Sequence, residues 1–116
     1  MRQGLYSVRF QTSIGAGAGV IYVEESSFVG GDAGYFYYGK VNTQADNSIS
    51  VFITLRQHDA RIPSVFGNIS QLDLEMNGKY SEPHFNLAGS LRNLAGFARE
   101  ISIQATGSFL LPVPFS

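Results

Sequence analysis

Residues 49–57 read Ile-Ser-Val-Phe-Ile-Thr-Leu-Arg-Gln, and residues 71–76 read Gln-Leu-Asp-Leu-Glu-Met. In the first stretch Ile49, Val51, Ile53 and Leu55 alternate with Ser50, Phe52, Thr54 and Arg56. In the second, Leu72, Leu74 and Met76 alternate with Gln71, Asp73 and Glu75. Successive side chains on a strand point to opposite faces, so a period of two builds a sheet with one apolar face and one wetter face. Such runs recur along the chain and no helical period stands out, which predicts an all-β protein. A chain of this kind must close or cover its sheet edges, because open edges aggregate.

Working outward from these runs, the pattern predicts strands over residues 5–11, 18–23, 27–29, 34–41, 49–57, 71–76, 85–92 and 98–106. A last short strand is expected at 108–111, halted by Pro112 and Pro114. Turns are expected at Glu24-Glu25-Ser26, at Gly30-Gly31-Asp32, across 42–48, at Asn77-Gly78 and at 93–96. Pro63 argues against a central strand in 58–70, which reads as a connection with one short helical turn near 64–67. About eight strands joined mostly by short turns predict a small antiparallel up-and-down β-barrel, with a two-sheet sandwich as the alternative.

At 116 residues the chain is expected to be one domain, 1–116, long enough to bury a core without covalent staples. Charged residues make up 15%, against roughly 25% in an average globular domain, so part of the surface is expected to be covered by a partner. The absence of cysteine excludes disulfides, thiolate metal sites and cysteine catalysis, and fits a reducing cytosol. Neither a secretory leader nor a run of roughly 18 apolar residues is evident, so a cytoplasmic protein without membrane contact is expected. A net charge of -1 lacks the basic footprint that direct nucleic-acid binding needs.

The motifs that could carry chemistry are weak. Gly15, Gly17 and Gly19 spell G-x-G-x-G, but Val20-Ile21-Tyr22-Val23 follows where a phosphate loop needs a helix. His58 and His84 each sit at a strand end without the three converging ligands of a metal site or the nucleophile of a hydrolytic triad. The acidic residues show no paired spacing, and Asp32 after two glycines reads as a turn residue. No catalytic residue, metal site or cofactor is therefore expected.

Tyr35-Phe36-Tyr37-Tyr38 is the most informative run for function. Four aromatic residues in sequence on one strand place two on each face. One pair can fill the core; the other faces outward or lies under a covering segment. The neighbouring Val20-Ile21-Tyr22-Val23 is apolar on both faces as well. Tyr35, Phe36, Tyr37, Tyr38, Ile21 and Val23 are the candidate interface, in a homodimer or against another protein. Tyr6, Val8, Phe10, Ile49, Val51, Ile53, Leu72, Leu74, Phe85, Leu87, Ile101 and Ile103 are the candidate barrel interior, either a filled core or the lining of a small hydrophobic ligand site.

Several segments in series carry a resemblance. Gly4-Leu5-Tyr6-Ser7-Val8-Arg9-Phe10, then Gly30-Gly31-Asp32, Tyr37-x-Gly39 and Ile62-Pro63-Ser64-Val65 resemble the GrlR-like negative regulators of type III secretion genes. The likeness covers roughly the first 65 residues. It implies a lipocalin-like barrel with a hydrophobic interior, able to dimerise. It also implies a non-catalytic role, sequestering a transcriptional activator protein rather than touching DNA. The family's dense acidic surface run is missing: the matching loop, Asn42-Thr43-Gln44-Ala45-Asp46-Asn47-Ser48, has one acid. A single Asp46 cannot grip a basic partner as a cluster would. The competing function is a lipid-binding or other small hydrophobic-ligand-binding barrel.

Overall fold

A computed structural model describes residues 1–63, 69–92 and 100–112, the side chains of Leu91, Arg92, Glu100 and Ile101 aside. Eight antiparallel strands close into one barrel in sequence order. They are β1 (Gly4–Gln11), β2 (Ala16–Glu24), β3 (Ser27–Gly31), β4 (Tyr35–Thr43), β5 (Ser48–Gln57), β6 (Gln71–Ser81), β7 (His84–Arg92) and β8 (Glu100–Pro112). β1 pairs with β2 on one side and with β8 on the other, so the sheet has no free edge. The sandwich is excluded. No helix occurs among the described residues; the helical turn expected near 64–67 and the turn at 93–96 fall outside them.

The alternation that defined β5 and β6 sets the interior. Ile49, Val51, Ile53 and Leu55 are buried, as are Leu72, Leu74 and Met76. Tyr6, Val8, Phe10, Phe85, Leu87 and Ile103 join them, as the pattern predicts. Ile101 lies outside the described side chains. Rings meet inside at edge-on geometry: Phe10 with Tyr37 at 5.3 Å, and Tyr6 with Phe109 at 5.4 Å.

One turn and one strand assignment need correction. Asn77-Gly78 is no hairpin turn; it lies within β6, where Asn77 pairs with Ser50 and Ala88 and Gly78 with Ile49 and Leu87. The chain reverses four residues later, at Glu82-Pro83, through a cis peptide bond. The separate strand at 108–111 does not exist either. β8 runs unbroken to Pro112, and a bulge opposite Leu5 and Tyr6 disturbs its alternation.

The glycines explain both the misplaced turn and the packing. Gly17 and Gly19, from the G-x-G-x-G stretch, lie in β2 opposite Phe10 and Val8. A Cβ on Gly19 would come within 2.1 Å of the Tyr37 hydroxyl, and one on Gly107 within 2.1 Å of the Phe85 ring. The Phe85 ring faces Gly107 on the adjacent strand, and the Tyr37 hydroxyl reaches past β3 to Gly19, a mixture of bulky and small residues that fits a narrow barrel.

The two faces of β5 provide a direct check. Leu55 is fully buried while Phe52, on the opposite face, is half exposed. Leu55→Ala is expected to lower unfolding free energy by about 2–5 kcal/mol, and Phe52→Ala by less than about 1 kcal/mol. Urea denaturation measures both. Equal losses would contradict this assignment of inside and outside.

Candidate functional site

The outer wall is divided into two unlike halves. Over β6, β7 and β8 the outward positions are polar, among them Asp73, Glu75, Asn77, Asn86, Gln104 and Thr106. Over β1 to β4 an apolar row crosses the strands in register, from Leu111 at the end of β8 through Leu5, Tyr22 and Val29 to Tyr38. Val29 is 54% exposed, Phe52 50%, Tyr38 40% and Phe36 38%.

Phe36 and Tyr38 are two residues apart on β4, so both project outward. Their rings stack at 6.2 Å with 21° between planes, and the His58 ring extends the stack beyond Phe36 at 6.4 Å and 28°. Three rings thus stand side by side on the outer wall. His58 is fixed from below. Its backbone N–H donates to the Gly34 carbonyl at 2.8 Å, and its Nε2 lies 2.9 Å from the Asp32 carbonyl oxygen. Thr54, Arg56, Asp73 and Lys40 form a polar border around the rings, the arrangement of an interface core and rim.

The candidate interface residues separate cleanly. Phe36 and Tyr38 are on the surface. Tyr35, Tyr37, Ile21 and Val23 are buried inside the barrel and leave the candidate interface. On β2 it is Val20 and Tyr22 that face outward. A strand apolar on both faces does not declare which face is inside; pairing with β1 and β3 decides it.

Asp32 holds the β3–β4 corner. Its Oδ1 accepts from the backbone N–H of Gly34 at 2.9 Å and of Tyr35 at 2.8 Å, and its Oδ2 accepts from the Tyr37 hydroxyl at 2.8 Å. The corner brings His58, Asp59, Arg61 and Asp32 to one end of the barrel, but every group is occupied. Arg61 grips Asp59 through two side-chain bonds of 3.0 Å, which holds the Asp59 carboxyl below its usual pKa. His58 meets the carbonyl of Asp32, not its carboxylate. The corner is structural, as the turn reading of Asp32 implies. Among the described residues no cluster of three metal-ligating side chains occurs.

Among the described residues the interior offers little room. An apolar void of about 30 Å³ lies among residues including Met1, Phe10, Phe28, Val41, Ile49 and Leu87. Asp46, in the loop the family resemblance singled out, is held below the usual carboxylate range by the Ser48 hydroxyl and backbone N–H, with Lys79 3.6 Å away.

One arrangement escaped the sequence. Ser108 Oγ lies 2.7 Å from His84 Nδ1, across the β7–β8 pairing, in a shallow groove that Arg9 also lines. The residues are 24 apart, and only the register of two distant strands brings them together.

No protein-family model matches the sequence, and no curated protein matches it. No helix among the described residues is long and apolar enough to cross a membrane.

Burial pushes the Tyr37 hydroxyl well above its ordinary pKa of 10, and its bond to Asp32 pushes it further. Tyr6 is raised in the same way, chiefly by burial. A raised folded-state pKa means that the native state holds the proton more tightly than the unfolded chain. The stability from these groups is whole below pH 10 and falls as pH rises beyond it. Denaturation midpoints followed from pH 8 upward are expected to drop above pH 10, less steeply in Tyr37→Phe. An equally steep fall in the variant would contradict the role given to Tyr37.

Proposed function

We propose that this protein is a non-catalytic regulator that docks another protein on the outer wall of β2 to β5. The observation that carries this reading is the exposed Tyr38–Phe36–His58 ring stack within an apolar row, on a barrel whose described interior holds an apolar void of about 30 Å³. Rigid aromatic side chains bury much area for little loss of conformational freedom and dominate interface energetics. Contiguous exposed apolar surface of this kind marks interaction sites. The partner we propose is a transcriptional activator of type III secretion genes, sequestered as in the GrlR-like regulators that the first 65 residues resemble. With only Asp46 in the 42–48 loop, and that carboxylate engaged by Ser48, the grip rests on the aromatic wall rather than on the loop. Action in the cytoplasm, without direct nucleic-acid contact, belongs to the same proposal.

The competing reading, a carrier of small hydrophobic ligands, needs an interior volume of several hundred cubic ångströms. A void of about 30 Å³ weighs against it.

The full chain, tagged and used to capture proteins from its own organism, is expected to retain a DNA-binding activator. The double variant Phe36→Ser/Tyr38→Ser is expected to lose it while keeping its fold by circular dichroism. Equal capture by both proteins, or capture of no transcription factor, would overturn the proposal. A wild-type dimer by light scattering that becomes monomeric in the variant would assign the wall to a second copy of the chain instead.

A further inference from the structure

The polar half of the wall holds a second feature, independent of the docking face. β7, β8 and β1 present a groove of about 310 Å³ lined by the side chains of Ser7, Arg9, His84, Asn86, Thr106 and Ser108. The register aligns them in two outward rows. Ser7, Ser108 and His84 form one; Arg9, Thr106 and Asn86 form the next. The groove therefore has a floor of small hydroxyl side chains with one cation on one flank and an imidazole on the other.

Each of these six side chains can donate a hydrogen bond, and none is a carboxylate. Arg9 has no ion-pair partner among the described residues, whereas Arg2, Arg61 and Lys79 each face a carboxylate within 4 Å. A guanidinium without an acid beside it, at the edge of a concave set of donors, is an anion receptor by chemistry. The Ser108–His84 contact strengthens this. With neutral imidazole, Ser108 donates to Nδ1, so the ring proton sits on Nε2. With imidazolium, Nδ1 donates to Ser108 Oγ and the hydroxyl proton is released for another acceptor. In either charge state the pair retains a donor for a ligand.

We infer that this groove binds a phosphomonoester group. A tetrahedral dianion accepts from several directions at once, which suits a forked guanidinium facing hydroxyls on two strands. A planar carboxylate would engage two donors and leave the rest unused. The proposal is binding alone: among the described residues no carboxylate contacts His84 as the third member of a hydrolytic triad would.

The test is an amide NMR titration of the full chain with glycerol 3-phosphate, with chloride adjusted to hold ionic strength constant. Saturable shifts are expected at residues 7, 9, 84, 106 and 108. Arg9→Ala is expected to weaken binding by about tenfold or more, as loss of a charge-assisted bond should. Arg56→Ala, which removes a cation from the opposite wall, is expected to leave binding unchanged. Phosphatidylcholine vesicles containing phosphatidic acid form the second arm. Response to glycerol 3-phosphate assigns the phosphomonoester to a soluble ligand; response to vesicles alone, at the same residues, assigns it to a lipid headgroup. Shifts that never saturate, or that are the same in Arg9→Ala, would overturn the inference.

Discussion

Closure of the sheet on itself is the constraint from which everything else follows. Once β1 pairs with β8, every strand has two neighbours and the inner surface becomes a fixed narrow volume. Eight strands enclose a narrow interior, so some large inward groups fit only where a glycine leaves room. Gly19 makes way for the Tyr37 hydroxyl and Gly107 for Phe85. The same closure forbids the barrel from hiding its outward residues. Whatever is apolar on the outside stays in water until a partner covers it.

The proposed location of function follows from this division. The interior is spent on packing, and the β3–β4 corner is spent on holding Asp32, Tyr37 and His58 in place. What remains is the wall, and the wall is asymmetric. Its apolar half carries a ring stack anchored at His58 by the same corner. Its polar half carries a donor-rich groove around Arg9. The ring stack stands on β4 and just beyond β5, while the groove lies across β7, β8 and β1, so the proposed protein partner and the proposed anion need not compete for one surface.

Much of the fold was legible because it is written locally. The run from Ile49 to Leu55 states a strand and its buried face in seven residues, and Leu72 to Met76 repeats it. The signals that misled were equally local. Asn77-Gly78 has the chemistry of a tight turn, yet the inner face of β6 needs a residue without a side chain where Gly78 meets the Asn86 carbonyl. Tertiary packing overrode turn propensity there. Ile21 and Val23 were indistinguishable from Val20 and Tyr22 until their pairing with β1 placed them inside. Two of the three rings, Phe36 and Tyr38, were among the four aromatic residues that alternation divided between the faces, without its saying which pair faced outward. The third ring, His58, was not legible, because a bond to the Asp32 backbone carbonyl leaves no trace in sequence spacing. The His84–Ser108 pair was invisible for the same reason: it depends on the register of β7 against β8.

The central claim is that the protein works through its outer wall and not by holding a ligand inside the barrel. Titration with a fluorescent fatty acid measures this most directly. With a void of about 30 Å³, the protein is predicted to give no saturable emission change that a non-fluorescent fatty acid reverses. Stoichiometric, displaceable binding that protects the probe from aqueous quenchers would contradict it.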